Sequence, residues 1–68
     1  MTIGQAIKKG EVSTKGKGTY RIGFNGNDET ELDAAGLKDL TLLWQSLCAE
    51  FRCKHDSVDY VERVFENG

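Results

Sequence analysis

Apolar residues change their spacing several times along the chain, and each change marks an element. Ile3, Ala6 and Ile7 recur at helical spacing behind Thr2-Ile3-Gly4-Gln5, which has the form of a capping box. Lys8 and Lys9 occupy the last turn, and Gly10 is placed to end it. This predicts a short helix of two turns. Nucleation is costly at that length, so the helix must dock Ile3 and Ile7 on the rest of the chain to persist.

After a glycine- and lysine-rich stretch the period drops to two. Tyr20, Ile22 and Phe24 alternate with polar residues, which predicts a strand with one apolar face. Asn25-Gly26-Asn27 supplies a turn, and Asp28 to Asp33 returns as a second strand with Thr30 and Leu32 turned inward. A two-residue loop would set Ile22 opposite Glu29 and Tyr20 opposite Glu31. A three-residue loop instead pairs Ile22 with Thr30, Tyr20 with Leu32 and Arg21 with Glu31, which satisfies both faces and is the expected register.

From about Gly36 to Cys53, Leu37, Leu40, Leu43, Trp44, Leu47, Cys48 and Phe51 fall within an arc of roughly 140° on a helical wheel. This predicts the principal helix, with Trp44 near the centre of its apolar face. A second stripe, Leu42, Ser46, Ala49 and Cys53, lies nearly opposite, between about 180° and 240°. Its small residues allow another backbone to come close, either the C-terminal element or a partner. Asp56-Ser57 can cap a last element, Val58 to Glu66. Its residues are good strand formers, but Asp59, Glu62, Arg63 and Glu66 gather on one side of a wheel opposite Val58, Val61, Val64 and Phe65. Period outranks propensity, so a helix is expected, with a strand as the alternative. The run from Leu40 to Val64 resembles small proteins of bacterial mobile elements and phages, although it holds no diagnostic motif and implies no particular function.

The expected fold class is therefore α+β: a short N-terminal helix, a β-hairpin, one long amphipathic helix packed on the sheet, and a short C-terminal helix. The 68 residues make one small domain. Such a chain buries only about 60% of the surface it exposes when unfolded, so its core is marginal without a staple or a partner. The two cysteines, Cys48 and Cys53, fall short of a disulfide framework. On one helix, five residues apart, their Cα atoms would lie about 8 Å from each other, too far for a good bridge. No apolar run reaches the roughly 18 residues of a membrane span, and Met1 to Gly10 lacks the apolar stretch of a signal peptide. A reduced, cytoplasmic protein with no membrane partner is expected.

The net charge of −2 hides an uneven distribution. Met1 to Asn25 holds five basic residues and Glu11, a balance of +4, whereas the remainder holds four basic and ten acidic residues, a balance of −6. Gly10 to Gly18 has the glycines and lysines of a phosphate-binding loop, but five residues separate Gly10 from Gly16 in place of four. Gly18 also stands where a serine or threonine would hold magnesium. Cys48, Cys53, His55 and Asp56 are zinc-ligand types without paired Cys-x-x-Cys spacing. Cys53 and His55 as nucleophile and base would need an orienting group and an oxyanion hole. The pairs Glu29 with Glu31 and Asp59 with Glu62 sit in hydrophilic surroundings that supply no reason for a raised pKa. No cofactor, metal or catalytic set is therefore assigned.

These features point to a non-enzymatic module that binds another protein, as a regulator or inhibitor acting by surface occlusion. Its acidic residues Asp28, Glu29, Glu31, Asp56, Asp59, Glu62 and Glu66 would approach a basic surface. Leu42, Ser46, Ala49 and Cys53 would contact a partner or a second copy in a homodimer. The first alternative is a weak nucleic-acid binder that uses Lys8, Lys9, Lys15, Lys17 and Arg21, with Tyr20 or Phe24 stacking on bases. The second is a metal or thiol site at Cys48, Cys53 and His55.

Overall fold

In a computed structural model that describes residues 1–64, the chain runs α1 (Ile3–Gly10), β1 (Gly18–Phe24), β2 (Asp28–Ala34), α2 (Leu37–Phe51) and β3 (Val58–Val64). This is an α+β fold in which two helices cover one face of an antiparallel sheet of order β2-β1-β3. The expected capping box forms: the Gln5 amide donates to Thr2 Oγ1 at 3.2 Å, and the Thr2 amide donates to Gln5 Oε1 at 2.9 Å. Glu11, not Gly10, takes the left-handed conformation that ends α1, at φ 52°. Ile3, Ala6 and Ile7 are buried, so the short helix persists by docking.

The hairpin adopts the register of a three-residue loop, with Tyr20 opposite Leu32, Arg21 opposite Glu31 and Ile22 opposite Thr30. Asn25 and Gly26 both turn through positive φ, 53° and 82°, which a glycine tolerates without strain. The inward residues Tyr20, Ile22 and Phe24 meet Leu40, Trp44 and Cys48 of α2 in one cluster. Trp44 is 1% exposed, its ring centroid lies 5.2 Å from that of Phe24 in an edge arrangement, and its Nε1 donates to the His55 carbonyl at 3.0 Å. The apolar arc of α2 is narrower than its sequence predicts. Leu43 and Leu47 are half-buried, and Leu37 and Phe51 at the two ends are exposed.

The expected C-terminal helix is a strand. β3 adds antiparallel to the free side of β1, opposite the hairpin partner, with Ile22 facing Val61 and Phe24 facing Val58. Gly23 faces Tyr60, so Asp59 is an extra residue with no counterpart, a β-bulge. The bulge places Val58 and Val61 on the same face three residues apart, the spacing that reads as helical in sequence. Further along the same face, Arg63 stands opposite Tyr20 with its guanidinium 5.5 Å from the ring centroid. It donates to the carbonyls of Ser13 (3.1 Å), Lys15 (2.8 Å) and Lys17 (3.0 Å), so a charge on the core side is paired and the loop before β1 is pinned. Phe65 and Glu66, expected to continue the helix, lie outside the described residues.

The end of α2 also departs from expectation. The helix stops at Phe51, Arg52 turns left-handed at φ 55°, and Cys53 lies beyond it. Ser57, expected to cap a helix, instead donates its hydroxyl to the Lys54 carbonyl at 2.6 Å in the turn before β3. Among the described residues no helix is long and apolar enough to cross a membrane.

Candidate interaction surface

Helices cover only the inward face of the sheet. On the outward face, pairing register aligns Thr19, Arg21 and Gly23 of β1 with Asp33, Glu31 and Glu29 of β2 and with Val64, Glu62 and Tyr60 of β3. Alternation puts these side chains on one surface. It carries four carboxylates and a single guanidinium at its centre.

Arg21 is held from both sides. Its Nε and Nη2 donate to Glu31 Oε2 at 3.2 and 3.1 Å, its Nη1 donates to Glu62 Oε2 at 3.5 Å, and Glu29 Oε1 lies 3.5 Å from Nε. The hydrogen bond to Glu31 does most to raise the Arg21 pKa, and the charges of Glu29, Glu31 and Glu62 add to it. These carboxylates remain half-exposed, at 53%, 50% and 57% for Glu29, Glu31 and Glu62. At the neighbouring end the Thr19 hydroxyl donates to Asp33 Oδ1 at 2.6 Å.

Tyr60 completes the surface. Its hydroxyl donates to Glu29 Oε2, and that bond, followed by partial burial, raises its pKa. The ring lies across Gly23: a Cβ there would stand 2.0 Å from Tyr60 Cε1. A side chain at position 23 would push the ring off the sheet, which is the physical use of glycine near the end of this strand.

The acidic residues expected to act together divide. Glu29, Glu31 and Glu62 converge on the open face. Asp28 stands at the start of β2 opposite Phe24, on the other side of the pleat. The Asp59 carboxylate accepts the Gly26 amide at 2.7 Å and ties the bulge to the hairpin turn. Asp56 lies in the turn before β3, where its carbonyl accepts the Met1 nitrogen at 2.6 Å. Glu66 lies outside the described residues.

On α2, Leu42, Ser46 and Ala49 are exposed as a strip, with Leu42 at 55%. Cys53 does not extend that strip. It is half-buried beyond the helix end and packs against the core. The proposed stacking residues Tyr20 and Phe24 are buried, at 0% and 5%, because they form the inward face of β1. Arg21 is engaged by carboxylates on the outward face, so the exposed basic residues of the N-terminal segment are Lys8, Lys9, Lys15 and Lys17. Among the described residues no three His, Cys, Asp or Glu side chains converge as metal ligands. His55 is exposed while Cys48 is buried.

Three residues escaped the sequence reading: Arg21 as the centre of the acidic face, Tyr60 as its aromatic member, and Arg63 as the pin of the basic loop. Gly23 within an alternating strand was the available signal for Tyr60, since an isolated strand glycine marks the close approach of another group. No protein-family model matches the chain, and no curated protein or solved structure matches it.

Proposed function

We propose that this chain is a non-catalytic binding module that docks the open face of its sheet on a basic patch of another protein and occludes it. One observation carries the reading. Arg21 at the centre of the face and Tyr60 beside it on the edge strand are residue types that dominate binding hot spots, and Glu29, Glu31 and Glu62 hold them in place. Exposed ion pairs of this kind add only about 0–1 kcal/mol to a fold, so stability alone gives little reason for the arrangement. Four carboxylates against one guanidinium favour a basic partner, including a nucleic-acid-binding cleft where carboxylates take the place of phosphates. A cytoplasmic setting belongs to this proposal, and two free cysteines are consistent with it.

Affinity capture from the native host tests it, comparing the parent chain with a Glu31→Lys, Glu62→Lys double variant whose circular dichroism is unchanged. The parent is expected to retain a basic protein that the variant releases, and added salt should weaken the parent complex. Recovery of the same proteins by both chains refutes the assignment of this face.

A second reading rests on Leu42, which borders a shallow apolar hollow lined by Ala35, Gly36, Leu37, Lys38 and Asp39. The strip of Leu42, Ser46 and Ala49 then meets its own copy about a two-fold axis. Leu42→Glu should separate such a dimer in sedimentation without loss of helicity. An unchanged mass for parent and variant would leave the strip without this role.

A further inference from the structure

We propose that Cys48 and Cys53 form a reversible intrachain disulfide across the end of α2, made by exchange with a low-molecular-weight disulfide such as oxidised glutathione. On a continuous helix the pair would be too far apart to join. The fold removes that obstacle by ending α2 at Phe51 and reversing the chain through left-handed Arg52. The Cys53 amide then donates to the Cys48 carbonyl at 3.1 Å. A bond of this span is the outer hydrogen bond of a Schellman motif, which brings the side chains of its first and last residues together. It also keeps their Cα atoms near the span of about 4.4–6.8 Å that a disulfide requires.

Both thiols are free, and Cys53 packs on the core cluster that contains Cys48. Their environments set an order of events. Cys48 is 2% exposed, and burial, reinforced by the Cys53 thiol beside it, pushes its pKa up to about 12. Cys53 is half-buried and open to a small reagent. As a thiolate, Cys53 attacks one sulfur of the small disulfide, forming a mixed disulfide and releasing one small thiolate. The Cys48 sulfur then attacks the Cys53 sulfur as its proton passes to the departing second thiolate. The chain loses two electrons and two protons, and the small disulfide becomes two thiols.

The bridge would close over the turn that leads into β3. In that turn the His55 carbonyl accepts the Trp44 indole, and the Lys54 carbonyl accepts the amide and the hydroxyl of Ser57 and, at 3.7 Å, the thiol of Cys48. Oxidation therefore replaces the hydrogen bond from the Cys48 thiol to the Lys54 carbonyl with a covalent link to the preceding residue, at the start of the segment that leads to Tyr60 and Glu62, whatever those residues contact. Disulfides of this kind in a reducing compartment are transient and redox-sensing.

The test equilibrates the reduced chain in glutathione redox buffers, once in native buffer and once in guanidinium, with acid quenching and intact-mass measurement. Trp44 emission confirms that the native sample is folded. The native chain is expected to lose the mass of two hydrogens, at a ratio of disulfide to dithiol about tenfold or more above that in guanidinium. Cys48→Ser should stop at the mixed disulfide on Cys53. A native ratio equal to or below the denatured one overturns the proposal. So does accumulation of only glutathionylated monomer or of Cys53-linked dimer in the folded parent.

Discussion

Trp44→Ala is the substitution this core should tolerate least. The indole is almost fully buried between the inward face of β1 and the body of α2. Removing it exposes or empties an area of about 150–250 Å², which at about 25 cal/mol per Å² corresponds to roughly 4–6 kcal/mol. Measured losses for Trp and Phe truncations centre on about 3–5 kcal/mol, because neighbours collapse into part of the cavity. The change also leaves the His55 carbonyl without its donor and removes the edge contact with Phe24, each worth about 1 kcal/mol. A chain of this length has roughly 3–10 kcal/mol in total, so Trp44→Ala should sit at or beyond the threshold of folding. Trp44→Phe separates the contributions, because it keeps most of the apolar contact and loses the N–H donor. It should cost about 1–3 kcal/mol. In urea, with a slope near 1 kcal/mol per molar for so small a domain, the midpoint should fall by about 1–3 M. Far-ultraviolet circular dichroism across a urea series measures both variants. A Trp44→Ala chain with the parent's midpoint, or a Trp44→Phe chain as damaged as Trp44→Ala, would refute the placement of the indole at the centre of the core.

Two further expectations concern the open face. Because Tyr60 lies over Gly23, a Gly23 Hα resonance should be shifted upfield by the ring current, and Tyr60→Leu should return it to ordinary values. Ultraviolet titration should find the Tyr60 phenol ionising above the usual value of about 10, since its bond to Glu29 favours the neutral form. The folded pKa is raised, so this contribution to stability is intact below the unfolded pKa and is lost as pH rises through the folded one. Gly23→Ala, which displaces the ring, should bring the midpoint back toward about 10. An unchanged midpoint would show that the Glu29 bond is not what raises it.

Local chemistry carried much of the architecture. The Thr2 and Gln5 capping box, the helical spacing of Ile3, Ala6 and Ile7, and the alternation of Tyr20, Ile22 and Phe24 each depend on neighbours within a few residues. They could therefore be read from the chain alone. Hairpin register was legible for the same reason: only a three-residue loop puts Leu32 opposite Tyr20 and sets Arg21 against Glu31. Trp44 followed from its central position in the apolar arc of α2.

The tertiary structure decided what depends on distant partners. Val58 to Val64 has three-residue apolar spacing, and its charges gather on one side of a helical wheel, which local rules read as a helix. The open edge of β1 makes it a strand, the Asp59 bulge produces the spacing, and the loop carbonyls near Ser13 to Lys17 satisfy Arg63 on the core side. Arg21, in the basic half of the sequence, becomes the centre of an acidic face because strands from two later segments flank it. Cys48 and Cys53, apart on any continuous helix, meet because α2 ends two residues before Cys53. In each case sequence periodicity reports the element a segment would form alone, whereas the sheet edge, the bulge and the helix terminus determine which residues finally stand together.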